Sequence, residues 1–121
     1  FRAARQREAQ TPPQQTLSPP LDFVTTAQAY LVALDLPGVL REDIEVQVER
    51  GALSICGVKR APENERVLRR ERHYGAFARL VPLPDDADLA EVTATLKAGE
   101  LLVRVGRRVE AAARRVEVIE E

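Results

Sequence analysis

The sequence predicts an all-β domain, a sandwich or barrel, on three observations. Residues 92–105 read as two alternating strands about a tight turn at Ala98-Gly99. Ile44, Val46 and Val48 alternate with Glu45, Gln47 and Glu49 as in a half-buried strand. Turn residues, among them Pro37-Gly38, Gly51 and Pro82-Leu83-Pro84, punctuate the chain at strand-length intervals.

Each element follows from its own pattern. Asp22 to Thr26 is a short first strand. Tyr30, Val32, Leu34 and Leu36 alternate through a second, which Pro37-Gly38 ends. Residues 44–49 form the third, and Gly51-Ala52 turns it back into a fourth, Leu53 to Lys59, with Leu53 and Ile55 on one face and Ser54 and Cys56 on the other. Residues 60–74 interrupt the spacing as a polar excursion holding a short strand at Val67 to His73. Gly75 to Val81 follows, with Pro82 expected to shorten its pairing. Asp88-Leu-Ala-Glu91 has the spacing of a capped helical turn before the 92–105 hairpin, where Val92, Ala94 and Leu96 share one face and Leu101, Val103 and Val105 another. Gly99 supplies the positive φ such a turn commonly needs.

Outside this region the pattern weakens. Residues 1–20, with Pro12-Pro13 and Pro19-Pro20, read as a flexible arm; residues 21–107 as the domain; residues 108–121 as an extension, hinge-like or helical over 108–115, carrying Val116-Glu-Val118. The chain holds no methionine, so the sequence is expected to begin inside a longer precursor.

Composition narrows function. Eighteen basic and 19 acidic residues give a net charge of −1, which offers no global field for nucleic acid or an anionic membrane. No apolar run approaches the roughly 18 residues of a spanning helix. One cysteine, Cys56, excludes a disulfide within the chain and points to the cytoplasm. One histidine, His73, one cysteine and two serines, Ser18 and Ser54, leave no nucleophile constellation, and Cys56 reads as a small buried hydrophobe. Asp85-Asp86-Ala87-Asp88 lacks the ligand pattern of a calcium loop and reads as a solvated turn. Neither metal nor cofactor is expected, and no enzyme activity. The cluster Arg66, Arg69, Arg70 and Arg72 alternates with Glu63, Glu65 and Glu71, as a solvated or partner-paired face does.

These ordered features resemble the small heat-shock proteins, built on the α-crystallin domain. Ala94-Thr-Leu-Lys-Ala-Gly-Glu-Leu101 is similar to the family motif Ala-x-x-x-Asn-Gly-Val-Leu, with Ala98 for Asn and Glu100 for Val. Tyr30 to Val39 followed by Glu42 to Val46 is similar to early strands of bacterial and plant members. Glu71 to Arg79, leading to Leu83-Pro84, places Phe77 and Arg79 at the family's aromatic and arginine positions. Val116-Glu-Val118 resembles its C-terminal Ile-x-Ile anchor.

The resemblance implies an immunoglobulin-like β-sandwich with a strand-exchange loop, and ATP-independent binding of partly unfolded proteins. It implies a homodimer in which Val67, Leu68, Arg69 and Glu71 lie beside the partner's Asp22, Phe23 and Val24, with Tyr74 and Arg79 at the boundary. A groove walled by Ile44, Val46, Val48, Val92, Ala94 and Leu96 would take clients or the Val116 and Val118 anchor of a neighbour, and Phe1, Leu17 and Leu21 would add client contacts. A monomeric co-chaperone-like adaptor that binds one folded partner is the alternative.

Overall fold

The computed structural model describes residues 16–108 and 116–121. Phe1, the Pro12-Pro13 pair and the segment 109–115 lie outside the described residues. Among the described residues seven strands form two antiparallel sheets: β1 (Leu21–Thr25), β2 (Ala29–Asp35), β3 (Ile44–Glu49), β4 (Ala52–Lys59), β5 (Gly75–Pro82), β6 (Ala87–Lys97) and β7 (Glu100–Arg107). One sheet has the order β1-β2-β7-β6 and the other β3-β4-β5. Their inner faces meet in a core where Val32, Leu34, Leu53, Ile55, Val103 and Val105 are wholly buried. The period-2 pattern thus sorts residues by face, as a sandwich requires.

Two hairpins turn through positive φ at both central residues, Arg50 (53°) and Gly51 (73°), then Ala98 (51°) and Gly99 (77°). This geometry matches the right-handed strand twist but penalises a side chain with a Cβ. Ala98 is the less suitable occupant, because alanine lacks the short polar group that lets asparagine settle there. Ala98→Asn is therefore expected to stabilise the fold by about 0.5–1 kcal/mol, read as a thermal midpoint a few degrees higher; an unchanged or lower midpoint would contradict it.

Pairing in β5 runs its whole length, to Ala52 opposite Pro82. Pro82 does not shorten the ladder as expected. Leu83 N donates to Gly51 O (2.9 Å), which fixes the alternation, so residue 82 directs its backbone to the open side of this edge strand and no ladder donor is lost.

Residues 88–91 form no helical turn. β6 continues through them, and its register against β7 shifts between Asp88 and Val92. Asp88 Oδ1 accepts from Ala90 N (3.1 Å), a local contact like a cap's, made here within a strand irregularity.

Residues 60–74 contain no strand. Val67 to His73 lies outside both sheets, and Leu68 is 91% exposed. An extended segment needs an edge to pair with, and the loop meets none among the described residues.

Candidate functional site: the open edges of the sandwich

The two lateral openings of the sandwich can be told apart from the chain path. Leu17 N donates to Ala76 O of β5 (2.9 Å), and Arg79 Nη1 donates to Pro19 O (2.6 Å). Four residues after Leu17 the chain starts β1. The β5 and β1 edges therefore flank one opening, and the β3 and β6 edges flank the other.

At the β3/β6 opening, Ile44, Val46, Val48, Val92 and Leu96 are half-buried against the core, while Ala94 is exposed. Val92, Ala94 and Leu96 pair with the buried Val105, Val103 and Leu101, so they face inward. Ala94 stays exposed on the edge strand of its sheet, where its short side chain lies between the longer, half-buried Val92 and Leu96. Two-residue hairpins close on a hydrogen-bonded pair, here Glu49 with Ala52 and Lys97 with Glu100. Counting back by twos, the backbone groups of Ile44, Val46, Val48, Val92, Ala94 and Leu96 point away from their ladders. Ile44 N donates to Arg41 O, but among the described residues the other outward groups face no neighbouring strand, so both edges combine inward apolar side chains with backbone donors and acceptors that suit an added strand.

Val116 and Val118 are exposed, at 74% and 91%, and lie in no strand. Neither touches this opening as an added strand would.

At the other opening, Asp35 N donates to Pro20 O (3.3 Å) and Thr26 N to Ala29 O (2.8 Å). The alternation between them turns the backbone of Asp22 and Val24 toward β2 and that of Leu21, Phe23 and Thr25 outward. Phe23 and Val24 are 40% and 50% exposed, whereas Leu21 and Leu17 are half-buried on the core.

The proposed exchange segment does not reach that edge within one chain. Arg69 Nε pairs with Glu71 Oε2 (3.5 Å), a solvated pair worth little. Tyr74 is half-buried, with the Arg70 and Arg72 guanidinium carbons 5.0 and 5.7 Å and Lys59 Nζ 5.7 Å from its ring centre. Arg79 is occupied in part by Pro19.

Sequence reasoning missed one cluster. Asp86 does lie in a turn, between β5 and β6, but is half-buried rather than solvated: Oδ1 accepts from Tyr30 Oη (2.5 Å) and Oδ2 from Arg107 Nε (2.8 Å). The hydrogen bond from Tyr30, then that from Arg107, holds the Asp86 carboxyl below its ordinary range, and the same bond raises the Tyr30 phenol. A depressed carboxyl contributes stability above the unfolded value that is lost as pH falls through the folded one. The midpoint difference between the native chain and Asp86→Asn is thus expected at neutral pH and to shrink below about pH 4; a difference constant down to pH 3 would contradict it. The missed signal was long-range, since Tyr30 and Arg107 lie far from Asp86 in sequence.

Cys56 is half-buried, not a buried hydrophobe, with Sγ 4.0 Å from Glu45 Oε2. Among the described residues no group of three or more His, Cys, Asp or Glu could hold a metal ion. No described helix is long and apolar enough to cross a membrane.

The profile of the Hsp20/alpha crystallin family matches residues 22–120. The chain belongs to that family. It is 29% identical over 105 residues to small heat shock protein C4 of Rickettsia felis, covering 84% of this chain and 64% of the relative. Among solved structures it is similar to hspA of Xanthomonas axonopodis, with a TM-score of 0.69, 38% identity, and 78% and 98% of the two chains covered. It is also similar to a small heat-shock protein of Xylella fastidiosa described as having a distinct high order structure, with a TM-score of 0.72, 35% identity, and 84% and 96% covered. The chain spans less than two thirds of the length of the first curated relatives it matches. The likeness bears out the α-crystallin sandwich expected from the sequence.

Proposed function

We propose that this chain is an ATP-independent holdase chaperone that binds partly unfolded proteins and keeps them from aggregating. The observation that carries the reading is the β3/β6 opening, where inward apolar side chains lie beside two strand edges that, among the described residues, no further strand covers. An unfolded segment can satisfy both by lying along an edge as a strand: backbone bonds tie it down, and alternate apolar side chains enter the groove. Burial gains roughly 25 cal/mol per Å² and selects hydrophobicity rather than a sequence, which suits varied clients. Membership of the Hsp20/alpha crystallin family supports a chaperone rather than an enzyme. The setting we assign is cytoplasmic.

Self-association uses the same chemistry. The outward backbone of Leu21, Phe23 and Thr25 accepts residues 67–71 of a second copy, with Tyr74 and Arg79 at the boundary. Val116 and Val118, two apart and so on one face of an extended segment, enter the β3/β6 groove of a neighbour. Replacing both by glycine removes burial worth about 1.5–3 kcal/mol each. Assemblies above the dimer are then expected to be lost in light scattering; an unchanged mass would remove the anchor from this account. The adaptor alternative requires a monomer, so the same mass measurement on the native chain decides between them.

A photo-cross-linking side chain at Ala94 tests client binding. It is expected to capture a heat-unfolded client without nucleotide, whereas one at Glu100 should not; equal capture at both would count against the groove.

A further inference from the structure

At Arg107 the chain leaves the last strand, and three elements converge there. Arg107 N donates to Gln28 O (3.0 Å) in the β1–β2 turn, and Arg108 N donates to Asp86 O (2.6 Å) in the β5–β6 turn. The side chains repeat the pattern. Arg107 Nε binds Asp86, and Nη1 reaches Thr26 O (2.9 Å) and Thr25 Oγ1 (3.3 Å). Arg108 Nη2 donates to Asp85 O. The Arg107 guanidinium carbon lies 5.1 Å from the centre of the Tyr30 ring, which also packs against Phe23 of the β1 edge, ring centres 5.8 Å apart.

A strand end normally frays, because nothing beyond its last ladder bond holds it. Here the exit is tied to both neighbouring turns, and Asp86 is the acceptor common to Tyr30 and Arg107. We infer that Asp86 is a positioning residue for assembly: by holding Tyr30 and Arg107 together it fixes the direction in which the C-terminal extension leaves the domain relative to the β1 edge. The consequence for assembly rests on the proposed Val116–Val118 anchor; the fixed exit does not. From Arg108 to Val116 eight residue steps reach at most about 29 Å. At that radius a 30° change of exit direction moves the anchor by up to roughly 15 Å, three times the spacing of neighbouring strands. Loosening the exit therefore spreads the positions at which a neighbour's groove can be met.

The test compares the full chain with Asp86→Asn, which keeps the side chain's size and removes its charge, and with Arg107→Lys, which keeps charge but loses the planar fork. Hydrogen exchange is read on peptides covering 102–108 and, as control, on β4, alongside the assembly mass distribution. Both variants are expected to exchange at least tenfold faster at the Arg107 and Arg108 amides, with β4 unchanged and a broader mass distribution. Unchanged exchange at these amides overturns the inference, and so does faster exchange spread equally over β4, which marks a merely stabilising contact. If the amides loosen but mass is unmoved, the Val116→Gly, Val118→Gly chain separates the causes. A shift there alone overturns the assembly role of Asp86, whereas no shift there either leaves the fixed exit standing and removes the anchor.

Discussion

Gly57→Ala is expected to destabilise the domain by about 3 kcal/mol, at the upper end of overpacking costs. A Cβ at residue 57 would lie 2.2 Å from the Asp43 carbonyl oxygen and 2.7 Å from Phe77 Cζ. Neither neighbour can yield cheaply. Asp43 ends the short 3-10 turn Arg41–Asp43 and is buried with Arg60 Nε 3.0 Å from its Oδ2, and Phe77 is a core ring. Gly57 itself lies on the central strand of its sheet, between Ile44 and Phe77. Against a total stability of about 5–15 kcal/mol for a domain this size, the loss is large. Gly106→Ala is the milder comparison, since its Cβ would meet a Glu91 carboxylate oxygen at 2.3 Å that can swing away, leaving a 3.1 Å approach to Glu91 Cβ. Chemical denaturation should place Gly57→Ala well below Gly106→Ala; equal midpoints would refute the packing argument.

Phe23→Pro is expected to halve the mass of the proposed strand-exchange dimer while leaving the domain folded. Residue 23 directs its backbone away from β2, so proline there removes no bond of the β1–β2 ladder but blocks the edge that the proposed partner strand would take. Its side-chain cost is the ring contact with Tyr30, about 0.5–1.5 kcal/mol. Val24→Pro, one residue on, has the opposite effect, because residue 24 bonds inward to Leu31. It should lower the thermal midpoint more than Phe23→Pro does. A Phe23→Pro chain that kept its dimer mass would exclude β1 as the exchange edge.

The strands were legible because each carries its own period. Ile44 to Glu49 and the Val92 to Val105 hairpin needed no distant partner to declare a face. What distinguishes Ala94 from Val103 was not legible: both alternate inward, yet one is exposed and the other buried, because Ala94 lies on the edge strand β6 and Val103 on the interior strand β7, an order that long-range pairing decides. Pro82 looked disruptive, and its direction relative to β4 made it harmless. Asp88 and Glu91 carried real local chemistry, but β-pairing with β7 overrode the helical turn. Residues 67–73 show the converse limit, since their expected pairing needs a second chain. Asp86 escaped notice because its value lies in two contacts from distant strands.

The central claim is best tested by following thermal aggregation of a client protein by light scattering, with this chain added and no ATP. The account predicts suppression that reaches its limit near stoichiometric amounts, by apolar burial alone. Client aggregation unaffected by a several-fold excess of the chain would contradict it.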